Sequence, residues 1–139
     1  MTSPTSTIRI LLLDPEPLVS AGLRVLLEER PGLKVVAQAE DEECALQLAE
    51  REQPDIILFH ESTGDPAQLA LLPQLMAVVN VPRIVLLTPM SDPQYQVRAV
   101  QSGAMGVVLS QKSSDVLYKA IEKVYEGEVW LDRSLMARV

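Results

Sequence analysis

Short apolar runs alternate along the chain with longer segments of helical period, and a turn or cap signal stands at each junction. Residues 8–13 (IRILLL), 33–39 (LKVVAQA), 55–59 (DIILF), 83–88 (RIVLLT) and 105–110 (MGVVLS) read as strands. Apolar residues fill them nearly continuously, as strands covered on both faces require. Between them, the spacing predicts helices over 17–29, 41–52, 66–79, 92–103 and 113–127. Pro17 suits a first helical turn, the acids at 41–43 suit a helix start, a serine caps the last helix, and Gly103 and Gly127 act as stops. Pro73 falls inside 66–79 and predicts an interruption there. Five βα units with short loops force a parallel sheet with right-handed crossovers and helices on both faces.

Composition narrows the class. The 139 residues suit one core, and 47% hydrophobic with 22% charged residues is ordinary for a globular domain. A formal net charge of −7 repels a phosphate backbone or an anionic membrane, so direct nucleic-acid binding and membrane association are not expected. The lone Cys44 excludes an internal disulfide and fits core packing in a reducing compartment. The first seven residues, MTSPTST, read as a disordered leader without the parts of a signal peptide, which points to the cytoplasm.

In a parallel sheet of this kind, chemistry gathers at the carboxyl ends of the strands. Those ends carry Asp14, Pro15 and Glu16, then His60 and Glu61, then Thr88, then Ser110. None is glycine-rich, which removes support for a dinucleotide or P-loop site. His60, the one histidine, could pack at its strand end, act as a pH switch with Asp14 or Glu16, or join those acids and Glu61 around a metal.

From Ile8 to about Asp132 the chain resembles the receiver domain of bacterial two-component response regulators, above all those that precede a LuxR-type helix-turn-helix. The segments ILLLDPEPLVSAGLRVLLEERPGLKVVAQAED, QPDIILFH, LLTPMSDPQYQVRAVQSGAMGVVLSQKSS and YEGEVWLD carry the likeness in order and spacing. The resemblance implies a flavodoxin-like (βα)5 doubly wound sheet with strand order 2-1-3-4-5. It divides the chain into a leader (1–7), a receiver domain (8–127) and the start of a linker (128–139) toward an output domain.

A working receiver transfers a phosphoryl group from a kinase histidine to its own aspartate. It needs that aspartate, an acidic pair for Mg²⁺, a lysine for the phosphoryl oxygens and a Ser/Thr switch residue, because the metal and lysine offset the charge of two anions that meet. Here Asp14 matches the first metal acid, but Pro15 stands at the second. His60 stands at the phosphoacceptor position and Ser110 at the lysine position. Thr88 matches the switch hydroxyl, while Val107 replaces its aromatic companion. Two of six signature positions keep the family residue.

The expectation is a pseudo-receiver: a non-enzymatic signalling module that works by protein contacts, with an acidic pocket of Asp14, Glu16 and Glu61 left over. No cofactor is expected beyond weak divalent-ion binding. A homodimer through the 92–126 face is the assembly to look for, and DNA contact would come only through an output domain beyond this chain. Two alternatives stay open: a phosphoacceptor relay using His60 or Glu61, and a ligand- or metal-sensing receiver.

Overall fold

The computed structural model describes residues 7–131. In chain order these form β1 (Ile8–Leu13), α1 (Pro17–Glu28), β2 (Leu33–Ala39), α2 (Glu42–Glu52), β3 (Ile56–His60), a 3-10 turn (Pro66–Ala70), α3 (Leu71–Val78), β4 (Ile84–Thr88), α4 (Pro93–Ser102), β5 (Ala104–Leu109) and α5 (Ser114–Tyr125). All strand pairs are parallel and the order is β2-β1-β3-β4-β5, the flavodoxin-like arrangement expected from the sequence.

The strand alternation divides the core into two layers. Leu11, Leu13, Ile57, Phe59 and Leu86 point to one face, where α2, α3 and α4 supply Ala45, Leu72, Leu75, Tyr95 and Ala99. Ile10, Leu12, Ile56, Leu58, Val85 and Leu87 point to the other, where α1 and α5 supply Leu27, Leu117, Ile121 and Val124. The central strands β3 and β4 are buried along their whole length, which is why their sequences carry no polar alternation. Burying one such leucine stabilises the fold by about 2 kcal/mol.

Several boundaries depart from the sequence reading. The helical stretch after β3 breaks at Ala70/Leu71, where the 3-10 turn passes into α3, and not at Pro73. Pro73 lies in the first turn of α3, where a backbone N–H would have no partner within the helix. Strand β3 also runs one residue further than the apolar pattern indicates, so His60 belongs to the strand and pairs with Leu87. Asp41 and Asp92 cap α2 and α4 through their side chains, accepting from Cys44 N–H at 2.8 Å and Gln94 N–H at 3.0 Å. Ser113 occupies the cap position of α5 but its hydroxyl makes no capping bond.

Beyond α5 the chain turns at Gly127, whose φ of 97° suits glycine, and comes back to the sheet. Trp130 N–H donates to the Met105 carbonyl at 3.0 Å, and Val107 N–H donates to the Trp130 carbonyl at 2.9 Å. This parallel bridge covers the outer edge of β5. The start of the stretch expected to be a linker from 128 onward is thus paired to the sheet through Trp130. Residues 1–6 of the expected leader and 132–139 of the expected linker lie outside the described residues.

Candidate functional site

The carboxyl ends of β1 and β3 bring Asp14 and His60 together. Asp14 is fully buried, and its Oδ2 lies 3.1 Å from His60 Nδ1. Nδ1 is engaged by this contact, and Nε2 is the ring nitrogen left for other contacts. The other Asp14 oxygen, Oδ1, accepts from Glu16 N–H at 2.9 Å. This is an Asx-type turn with Pro15 at its bend, and it delivers the chain into α1 at Pro17. Pro15 is exposed and offers no N–H, and Glu16 is exposed at the cap position of α1.

Strand periodicity sends His60 and Glu61 to opposite sides. His60 follows Phe59 and turns toward the α1/α5 layer, where it helps to line a groove. Glu61 turns back toward α4 and is 4% exposed. Its carboxylate accepts from Thr63 N–H, from the Thr63 hydroxyl at 2.8 Å and from Gly64 N–H at 2.7 Å. The Tyr95 hydroxyl on α4 donates to Glu61 Oε1 at 3.1 Å. Asp14 and Glu61, two of the three acids expected to share a pocket, are each bonded to separate partners, and Glu16 is exposed at the start of α1. Among the described residues no three His, Cys, Asp or Glu side chains converge as metal ligands.

Tyr95 lies on the 92–126 face expected to make partner contacts, yet its side chain turns inward. It is buried, and its phenol is pushed well above the usual tyrosine range by burial first, then by the charge of Glu61 and the hydrogen bond to it. The nearby Thr88 hydroxyl pulls weakly the other way. Thr88 is itself fully buried at the end of β4, and its hydroxyl accepts from Met90 N–H at 3.1 Å. Val107 is buried on β5 in the same layer as Tyr95. The spacing of Tyr95 and Ala99, four residues apart on α4, marked an inward face, and a buried tyrosine hydroxyl requires a partner.

Ser110 is exposed just past β5, with its N–H on the Thr88 carbonyl at 2.9 Å. Two residues on, Lys112 is exposed at the rim of the groove that His60 lines. A smaller cleft of about 60 Å³ on the other side of His60 is acidic, lined by Glu40, Asp41, Glu42 and Glu61. On the face formed by α4, β5 and α5, Tyr118 is buried with its hydroxyl on the Leu26 carbonyl at 2.7 Å, while Val97 and Tyr125 are half-buried.

Comparison with known proteins agrees with this geometry. The family model described as response regulator receiver domain matches residues 10–122. The nitrate/nitrite response regulator protein NarL of Escherichia coli is 30% identical over 126 residues, covering 91% of this chain and 58% of NarL. The transcriptional regulatory protein YdfI of Bacillus subtilis is 26% identical over 131 residues, covering 94% of this chain and 61% of YdfI. The chain therefore spans roughly three fifths of the length of these regulators. A solved two-component response regulator of the LuxR family from Aurantimonas superposes with a TM-score of 0.85 at 30% identity, covering 95% of this chain and 94% of that one. The RcsB receiver from Salmonella enterica, solved with a phosphomimetic, shares the fold with a TM-score of 0.80 at 19% identity, covering 95% of this chain and 98% of that one. By the family match, the sheet order and these relatives, the chain belongs to the response regulator receiver domain family, with relatives among LuxR-type two-component regulators.

Proposed function

We infer that this receiver transmits its signal through protein contacts without aspartyl phosphorylation, as the input module of a LuxR-type transcriptional regulator. The observation that carries the reading is the buried Asp14–His60 contact. At the strand end where a working receiver offers a carboxylate to the phosphoryl group, this chain offers an imidazole. The one matching metal acid, Asp14, has both oxygens engaged by protein nitrogens. Pro15 supplies no second acid and the exposed Ser110 no cation, so nothing offsets the charge of an incoming phosphoryl group. Asp14 retains at most weak affinity for a divalent ion.

The link between the strand ends and α4 is supplied from within. Glu61 holds the loop after β3 through Thr63 and Gly64, and holds α4 through Tyr95. In this reading that network fixes one arrangement of the α4–β5–α5 face, which is offered to protein partners and to a second copy of the domain. The protein is a non-enzymatic regulator of the cytoplasm, and DNA is reached through an output domain outside this chain. Phosphoryl transfer to His60 itself is the rival reading. It has in its favour that Lys112 rims the groove His60 lines.

Titration of the ¹⁵N-labelled protein with beryllofluoride and Mg²⁺ tests for carboxylate phosphorylation chemistry, and incubation with phosphoramidate, a phosphoryl donor to imidazole, tests the rival. The inference expects no saturable shifts at Asp14, His60 or Thr88. Saturable shifts centred on those residues would overturn it.

A further inference from the structure

The α1 and α5 helices do not close over the sheet at its carboxyl end. They leave a groove of about 180 Å³, walled by Val19, Leu23 and Leu26 of α1, Leu117 of α5, and Leu87 and Val108 of the sheet. That volume is close to the roughly 150 Å³ of a cavity that accepts one benzene ring. Apolar side chains make up most of the lining, and His60, Lys112 and the serines at 110, 113 and 114 supply a few polar groups, the composition of a small-molecule site. His60 lines the groove with Nδ1 already bonded to Asp14, which leaves Nε2 for a ligand. Lys112 stands at the rim with no carboxylate within 4.0 Å among the described residues. No aspartate or glutamate lines the groove, although the chain as a whole carries a net charge of −7.

We propose that this groove binds a small apolar carboxylic acid, with its ring or short chain between α1 and α5 and its carboxylate between Lys112 Nζ and His60 Nε2. The charge pattern selects the class. A cationic head group would meet Lys112, and a neutral alcohol would leave the ammonium without a partner. A ligand much larger than one ring exceeds the volume. The proposal goes beyond the phosphorylation-independent reading, because it assigns an occupant to a groove that shares only His60 with the strand-end contact.

Phenylacetate is the probe, with 2-phenylethanol and phenethylamine as matched neutral and cationic controls, followed by calorimetry and by amide shifts of the ¹⁵N-labelled chain. The expected result is saturable binding of phenylacetate, with shifts at Leu26, Val108, Lys112 and Leu117 and weaker or no binding of both controls. Lys112→Ala, at an exposed position, is expected to weaken phenylacetate about tenfold through loss of one charge-assisted contact. Val19→Trp at the groove mouth is expected to block it while the circular dichroism of the fold is kept. Equal binding of acid, alcohol and amine, shifts that map elsewhere, or no saturation at millimolar phenylacetate would each overturn the proposal.

Discussion

Replacing Tyr95 by phenylalanine removes one hydroxyl and nothing else, so it isolates the contact that ties α4 to the loop after β3. The Tyr95 hydroxyl donates to Glu61 Oε1 at 3.1 Å, and both residues are at most 4% exposed. A hydrogen bond to a charged acceptor contributes about 1.5–3 kcal/mol. The Glu61 carboxylate keeps its bonds from Thr63 N–H, the Thr63 hydroxyl and Gly64 N–H, so it is not stripped bare and the lower figure applies. A loss of about 1.5 kcal/mol lowers the melting temperature of a domain this size by roughly 5 °C. Urea denaturation supplies the free energy, and hydrogen exchange locates the effect, with faster exchange expected in the loop at 61–65 and the first turn of α4. A cycle with Glu61→Gln should show coupling of about 1 kcal/mol between the two positions. A Tyr95→Phe protein as stable as the parent, or strictly additive effects, would refute the view that this contact joins the two elements.

Because the Tyr95 phenol is raised above its unfolded value, its contribution is intact below pH of about 10 and is lost as pH climbs above it toward the higher folded value. Phenolate absorbance from Tyr95, read as the difference from Tyr95→Phe, should therefore appear only with alkaline unfolding; its appearance in the folded protein near pH 10 would contradict the burial argument. His60→Leu leaves fully buried Asp14 without its imidazole partner and should cost about 3 kcal/mol near neutral pH in urea denaturation, and a variant as stable as the parent would show that the pair is not coupled. A Cβ at Gly106 would stand 3.1 Å from Val124 Cγ2 and 3.3 Å from Val85 Cγ2, so Gly106→Ala should destabilise by about 1–3 kcal/mol, and an unchanged melting temperature would argue against that packing.

Fold and site differed in how far the sequence exposed them. The strands were legible because each is a mostly apolar run between turn signals, and parallel pairing followed from five βα units with short connections, while the strand order came from the family resemblance. Pro73 misled, since a proline in the first turn and a proline at a break look alike until the start of the helix is known. The strand-end residues were identified as candidates, but their partners were not. Asp14 and His60 are 46 residues apart and meet only through β1–β3 pairing. Glu61 was grouped with Asp14 because both stand at strand ends, whereas the strand period turns its side chain away from Asp14 and toward Tyr95 of α4. The contacts of Tyr95 and Lys112 were not legible because they depend on what packs against α4 and α5, which no local pattern encodes. The parallel bridge that returns Trp130 to β5, inside the stretch read as the start of a linker, has no signature in the neighbouring residues.

The measurement that bears most directly on the central claim is the intact mass of the protein after incubation with acetyl phosphate and Mg²⁺. It is made beside a variant carrying Pro15→Asp, His60→Asp and Ser110→Lys, which restores the residue types of a working receiver on the same fold. The account predicts a phosphoryl adduct on the variant and none on the natural chain. A phosphoryl adduct on the natural chain, lost on His60→Leu, would contradict it and make His60 a phosphoacceptor.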